Sequence, residues 1–254
     1  LGLIDVASLR RLRVVADTGN GMVGPILEHV YEHIPIDLVG MNLQPNGNPH
    51  HGLDPMQEEN RIELQRRVVR EKADLGFAFD GDGDRFFVID DRGQFVPGDF
   101  IPALLGCYML GKHPGAKIVY DVRCSWAVRD TVQAAGGTPL VERVGHAFLK
   151  PRMAREGAVF AGELSGHYYF SAFFGADSGI VPSLFLLEML ALKSQPLSSL
   201  LAPLEQSYFI TGEINSTVED SAAKIESIAA TYDDGVVERL DGISVSYDDW
   251  HFNV

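Results

Sequence analysis

The order of predicted secondary-structure elements occurs twice along the chain, and this repeat constrains the fold more than any other sequence feature. In each copy, a strand ending at an aspartate is followed by a loop, a helix, a short strand and a second helix. Two further strands joined by a polar loop complete the copy. The residues themselves hardly match, so the repeat lies in the hydrophobic pattern. The strands that the pattern locates are at residues 12–16, 36–39, 75–79 and 86–89, and then at 117–120, 158–161 and 168–170.

Helical crossovers make strands parallel, whereas a tight loop makes the last two strands of each copy antiparallel. The sequence therefore predicts two tandem α/β domains with mixed sheets between helices, at residues 1–97 and 98–207. Residues 208–254 are predicted to be a short C-terminal fragment of a further α+β domain. The chain stops inside a predicted strand, so we expect it to be part of a longer protein.

Four segments carry clear helix or strand patterns. A charged amphipathic helix is predicted at residues 55–72 and a helix at 221–231. A strand is predicted near residues 208–214. The most apolar segment, residues 180–192, is predicted to be a buried helix, because it is well short of the roughly 20 residues that cross a membrane.

Charge and cysteine content exclude several classes of protein. The chain has 35 acidic and 21 basic side chains, and its net charge of -14 would repel nucleic acid phosphates and anionic lipid. We therefore expect neither nucleic acid nor a membrane as a partner. Cys107 and Cys124 form neither a disulfide framework nor a zinc motif, and residues 1–15 hold no signal peptide. A cytoplasmic location is expected.

An acidic, glycine-rich loop follows the predicted strand at 75–79. The alternating glycines free the backbone, so Asp80, Asp82 and Asp84 can face one point, and their hard oxygens suit Mg²⁺. A solvated acidic turn is the alternative. A calcium-binding EF-hand does not fit, because strands flank the loop and Arg85 stands where that motif needs glycine. Arg85 either meets a phosphate oxygen beside the metal or merely neutralises the aspartates.

A second polar loop, residues 162–167, joins the last two strands of the second copy. Glu163, Ser165 and His167 offer a carboxylate, a hydroxyl and an imidazole that could bind sugar hydroxyls, but a simple polar hairpin fits the spacing equally well. His146 and Lys150 would share one helical face and present positive charge to an anion, or form an ordinary surface helix end.

Acidic residues also mark the predicted carboxyl ends of four strands. These residues are Asp17, Asp80, Asp121 and Glu163. Open α/β sheets bind ligands at this edge, so we expect the four loops to converge on one cleft.

Four motifs together resemble those of the α-D-phosphohexomutase family, particularly its phosphomannomutase/phosphoglucomutase branch. They are DTGNG at residues 17–21, DGDGDR at 80–85, GH at 145–146 and GELSGH at 162–167. The resemblance covers essentially the whole chain, but only the second and third of the family's four domains and the start of the fourth. It implies that domain 1, with its phosphorylated serine, and the phosphate-binding loop of domain 4 are missing partners.

The resemblance also implies a role for each candidate residue. Asp80, Asp82 and Asp84 would bind Mg²⁺ as the cofactor. The catalytic group would comprise Arg85, Arg123 and His146, and the substrate-binding group Glu163, Ser165, His167 and Lys150. Arg123 occupies a position that the family often fills with lysine. Arginine essentially cannot exchange a proton, so we expect Arg123 to act through its positive charge rather than as a general acid or base.

The resemblance implies that the full-length protein moves phosphate between C1 and C6 of a phosphorylated hexose, mannose or glucose, through a bisphosphorylated sugar. Leu164, where the glucosamine branch has glutamine, favours the other hexoses. This chain alone lacks the donor serine and is expected to be nearly inactive. Two alternatives stay open: a metal-dependent phosphatase, and a non-catalytic module that binds metal and sugar phosphate.

Overall fold

The computed structural model describes all 254 residues, as eight helices and eleven strands in three sheets. The first unit contains β1 Leu12–Asp17, α1 Val23–Tyr31, β2 Ile36–Met41, α2 Ile62–Glu71, β3 Leu75–Phe79 and β4 Phe86–Ile89. Helix α3, Phe100–Lys112, leads into the second unit. That unit contains β5 Lys117–Asp121, α4 Trp126–Ala134, β6 Thr138–Glu142, α5 His146–Glu156, β7 Phe160–Gly162 and β8 Tyr168–Phe170.

The two four-stranded sheets have the same topology, which confirms the predicted tandem α/β units with mixed sheets. Their strand orders are β2-β1-β3-β4 and β6-β5-β7-β8. In each sheet the first three strands are parallel, and the last is antiparallel to its neighbour. All five residues of β3 are buried, because apolar clusters pack on both faces of the sheet.

One apolar core joins the two units. It includes Phe86 of the first unit and Tyr168 of the second, whose ring centroids lie 6.1 Å apart. Helix α6, Ile180–Lys193, is buried along most of its length and packs against both α3 and β4. The units therefore share a core, and their loops are held in fixed relation to each other.

The C-terminal part is a small α+β unit, as predicted. After α7, Leu197–Ser207, it contains α8 Ser221–Thr231 and an antiparallel sheet of β9 Val236–Glu238, β10 Ser244–Ser246 and β11 His251–Asn253. It packs on the second unit, where the ring of His251 stacks on Trp126 with centroids 4.8 Å apart.

One predicted element starts at the wrong residue, and another does not form. The helix predicted at residues 55–72 begins only at Ile62, because Arg61 donates hydrogen bonds to the carbonyls of Pro55 and Met56 and holds the preceding chain in turns. No strand forms at residues 208–214. Gly212 has a φ of +79°, which interrupts an extended backbone, and Phe209 stays exposed without a neighbouring strand.

No single helix combines the length and apolar composition needed to cross a membrane. Helices α6 and α7 meet that criterion only as a pair, and the pair bends by 97° at the break between them.

Candidate functional site

The four carboxylates predicted at strand ends are found there, and all are buried. Asp17 ends β1 and Asp121 ends β5, whereas Asp80 and Glu163 directly follow β3 and β7. Buried carboxylates need hydrogen-bond partners, and each of the four has them. The loops that follow these strands form the candidate site.

The three aspartates of the acidic loop face one point. Their carboxylate oxygens lie within 4.8 Å of one another, and burial decreases from Asp80 to Asp84 to Asp82. The backbone N–H groups of Gly83 and Arg85 donate to Asp80 Oδ1 at 3.1 Å, which folds the loop around this carboxylate. Burial raises the pKa of Asp84, and the charges of Asp80 and Asp82 raise it further. Such a cluster favours a bound cation.

Arg85 is clamped between two carboxylates. Its Nε lies 2.6 Å from Asp80 Oδ2 and its Nη1 lies 3.2 Å from Asp54 Oδ1. Burial opposes its charge, but hydrogen bonding to Asp80 and the nearby carboxylates raise the pKa of Arg85 above its usual value. A permanent cation thus stands beside the aspartates.

Glu163 is the centre of the second polar loop. Its Oε1 accepts a hydrogen bond from Tyr169 at 2.5 Å, and its Oε2 accepts one from the backbone N–H of Gly145 at 3.1 Å. Ser165 Oγ lies 3.4 Å from the same Oε2 and 3.1 Å from His167 Nδ1. The carboxylate, hydroxyl and imidazole therefore form one connected hydrogen-bonding group.

The two polar loops touch each other directly. His167 Nε2 lies 3.4 Å from Asp84 Oδ1, and the backbone N–H of Phe86 donates to the carbonyl of Gly166 at 2.9 Å. Arg85 and His167 also pair as an isolated antiparallel β-bridge. The carboxylates of the acidic loop therefore lie next to the hydrogen-bonding side chains of the second polar loop.

Arg123 is linked to the second loop through Asp121. Its Nε and Nη2 donate to the two oxygens of Asp121 at 3.1 and 3.2 Å, and the N–H of Leu164 donates to the same carboxylate at 2.7 Å. Although burial opposes its charge, Asp121 raises the pKa of Arg123, so this side chain stays protonated. The electrostatic role of Arg123 stays a prediction.

His146 and Lys150 both lie in α5, as predicted, but differ in their surroundings. Lys150 Nζ forms an ion pair with Asp177 at 3.0 Å and lies 5.3 Å from the ring centroid of Tyr169. His146 is exposed at the first residue of the helix, directly after the Gly145 that binds Glu163. Lys150 is therefore tied to the second loop, whereas His146 is open to solvent at its rim.

The sequence analysis missed three side chains of the β2–α2 connection that bind Arg85 of the acidic loop or Asp17 at the end of β1. Asp54 contacts Arg85, and His51 Nε2 lies 2.9 Å from Asp17 Oδ2. Asn42 Nδ2 donates to the other oxygen of Asp17 at 3.0 Å. The only sequence signal was the unusual length and polarity of this connection, which is typical of a functional loop.

At Gly179, just before α6, the chain packs closely against the end of β3 and the acidic loop. This glycine has an ordinary φ of -71°, yet an added Cβ would lie 2.8 Å from Phe79 Cδ1 and 2.9 Å from the carbonyl oxygen of Gly83. We expect Gly179→Ala to lower the free energy of unfolding by about 1–3 kcal/mol, measured by urea denaturation. Gly111→Ala, in α3 with open space around it, is the control and should be neutral or slightly stabilising. Equal effects of the two changes would contradict the close approach.

Comparisons with known proteins identify relatives over the whole chain. Residues 3–93 match the family model "Phosphoglucomutase/phosphomannomutase, alpha/beta/alpha domain II", and residues 97–208 match domain III of the same family. The chain is 39% identical over 262 residues to a phosphomannomutase of Salmonella typhimurium, covering 100% of this chain and 58% of that protein. It is 37% identical over 257 residues to a protein named phosphohexose mutases from Xanthomonas campestris pv. campestris, covering 100% and 57%.

A solved structure shows the same arrangement. A phosphoglucomutase/phosphomannomutase family protein from Burkholderia thailandensis superposes with a TM-score of 0.84 and 33% identity, covering 97% of this chain and 54% of that one. The chain thus spans a little over half the length of the relatives it matches.

Proposed function

Since the chain belongs to the phosphoglucomutase/phosphomannomutase family, we propose that it is the central part of an enzyme that interconverts hexose 1-phosphate and hexose 6-phosphate. Mannose phosphate and glucose phosphate are the proposed substrates. The observation that carries the proposal is the direct contact between the acidic loop of the first unit and the Glu163 loop of the second. Groups suited to phosphoryl transfer and to sugar binding thereby lie side by side.

The residues of the second loop are proposed to bind the sugar. Glu163 accepts and Ser165 exchanges hydrogen bonds with sugar hydroxyls, while His167 bridges from Ser165 to the acidic loop. Hydrogen bonds from Tyr169 and the backbone of Gly145 hold the Glu163 carboxylate in place. Because the carboxylate is already oriented, little side-chain entropy is lost when a hydroxyl binds.

Basic side chains are proposed to bind the phosphate groups of the substrate. Arg85 is fixed by Asp80 and Asp54 and would stabilise the charge on a transferring phosphoryl group. Arg123, Lys150 and His146 are proposed to add further positive or hydrogen-bonding groups at the rim. Arg123 acts electrostatically, because it holds its proton throughout.

The acidic loop fits a divalent cation. Three carboxylates with oxygens within 4.8 Å of one another form a hard donor set, and we propose that Asp80, Asp82 and Asp84 hold Mg²⁺. When bound, Mg²⁺ would neutralise charge that accumulates on phosphoryl oxygens.

The remaining parts of the reaction are proposed to come from outside this chain. A phosphoserine from domain 1 would give its phosphoryl group to the free sugar hydroxyl, and the resulting bisphosphate would return the other phosphoryl group to the serine. The free thiols Cys107 and Cys124 support a reducing compartment such as the cytoplasm.

The proposal is tested with the intact gene product and with the 254-residue chain alone. Each is incubated with Mg²⁺ and with mannose, glucose or glucosamine 1-phosphate, and the 6-phosphate formed is measured. We expect conversion of mannose or glucose phosphate by the intact protein and almost none by the chain alone. Release of inorganic phosphate without isomerisation would instead support a phosphatase. Binding with no turnover by the intact protein would support a non-catalytic module.

A further inference from the structure

The exposed C-terminal end of α1 and the turn that follows it carry three metal-ligating side chains. The ligand atoms of His29, Glu32 and His33 lie within 4.8 Å of one another, and His29 Nδ1 is 3.8 Å from Glu32 Oε2. The two imidazole rings meet edge to face, with centroids 5.1 Å apart. The turn after Tyr31 continues the helical hydrogen bonding, and residues three and four positions apart in a helical turn are neighbours, so the backbone itself brings the three side chains together.

This cluster is separate from the acidic loop. Helix α1 begins beside that loop, where the side chain of Val23 fills the space that a Cβ on Gly83 would occupy. His29 and His33 lie six and ten residues further on, which at about 1.5 Å per residue is roughly 9–15 Å along the helix. The proposed mutase chemistry uses none of these three side chains.

We propose that His29, Glu32 and His33 form a second metal site, selective for a transition-metal cation such as Zn²⁺ over Mg²⁺. Two imidazole nitrogens and one carboxylate suit Zn²⁺, Ni²⁺ or Cu²⁺, whereas Mg²⁺ prefers oxygen donors. Zinc bonds of about 2.0–2.2 Å require the donors to approach to roughly 3–3.5 Å. The side chains of His29 and Glu32 are 74% and 70% exposed, so they are free to rotate through the remaining distance.

The position at the end of the helix favours a cation. The backbone N–H of Glu32 donates to the carbonyl of Glu28, and that of His33 donates to Val30, so the helical turn continues through the cluster. Carbonyl groups at the C-terminal end of a helix carry partial negative charge, which attracts a positive ion. Three protein ligands leave one position of a tetrahedral ion for water.

The test is calorimetric titration of the 254-residue chain with ZnCl₂ at pH 7.5, with His29→Ala, His33→Ala and the double variant measured in parallel. We expect one saturable site that millimolar Mg²⁺ does not displace, and each single substitution should weaken its affinity at least tenfold. Because imidazole must lose its proton to bind a metal, affinity should fall sharply at pH 5.5. In ¹H–¹⁵N spectra, the side-chain signals of His29 and His33 should shift on addition of Zn²⁺.

A matched control is available in His113, an exposed histidine at the end of α3. His113→Ala should leave the affinity unchanged. Because all these residues are exposed, unchanged circular dichroism spectra should confirm that every variant folds. The proposal is overturned if Zn²⁺ does not saturate a site, if the double variant binds as tightly as the original chain, or if Asp82→Ala rather than the histidine changes abolishes binding. This result is independent of mutase activity.

Discussion

Replacing Arg85 by lysine in the intact gene product is expected to lower kcat/KM for hexose phosphate by a factor of about 10²–10³, in the proposed mutase reaction. Lysine keeps the charge, but its single ammonium group cannot reach both carboxylates as the guanidinium does, with Nε on Asp80 and Nη1 on Asp54. The charge would therefore no longer be fixed where the phosphoryl group is proposed to pass. Steady-state kinetics with mannose 1-phosphate measures the loss.

The matched control is Arg129→Lys, which changes another arginine that pairs with a carboxylate, Asp130, and is not among the proposed site residues. It should retain activity within about twofold.

A stability measurement on the 254-residue chain distinguishes the loss of activity from a loss of metal binding. Mg²⁺ at about 100 times its dissociation constant should stabilise the chain by roughly 2.7 kcal/mol, in Arg85→Lys as in the original, whereas Asp82→Ala should lose this response. Full activity of Arg85→Lys would remove Arg85 from the proposed mechanism.

The parts of the fold that were predictable are those set by local pattern. Strands β3, β4 and β8 and helix α8 have the predicted bounds, because apolar runs bounded by turn residues specify them within a few positions. The repeat then fixes the topology, since parallel strands need crossovers. Once the topology is known, the carboxylates at the ends of β1 and β3 necessarily share one edge of the first sheet, and those at the ends of β5 and β7 share one edge of the second.

The parts that were not predictable depend on contacts between distant residues. No local pattern shows that Asp54 meets Arg85, 31 positions away, or that His167 meets Asp84 across the two units. The helix expected from residue 55 has a helical charge pattern, but side-chain hydrogen bonds from Arg61 to the backbone override it. Similarly, the close approach at Gly179 is a property of packing rather than of glycine's backbone freedom.

The β2–α2 connection that presents Asp54 is anchored by an ion pair between His51 and buried Asp17. The hydrogen bond to Asp17 outweighs burial and raises the pKa of His51 to about 9. His51 Nδ1 also lies 2.7 Å from the carbonyl of Gly52, so both ring nitrogens have acceptors that suit the protonated form. The other nearby groups are Glu63, whose charge favours protonation, and the neutral Asn42 amide.

The raised pKa predicts that this anchor is lost at high pH. Protonated His51 should stabilise the fold by about 2–3 kcal/mol below its unfolded pKa of 6.5, and this contribution should disappear as pH rises from 6.5 through 9. Urea unfolding at pH 6 and pH 9.5 measures the change. His51→Gln should be less stable than the original chain at pH 6 and nearly equal to it at pH 9.5.

His113→Gln provides the control, because His113 is exposed and forms no ion pair. The free energy of unfolding of this variant should equal that of the original chain at both pH values. A constant difference between His51→Gln and the original chain from pH 6 to 9.5 would contradict protonation of His51 in the folded state. Since the same connection carries Asp54, loss of this anchor should also loosen the clamp on Arg85. In the intact gene product, His51→Gln should therefore lower kcat/KM at pH 7 by less than Arg85→Lys does, because Asp80 still holds the guanidinium.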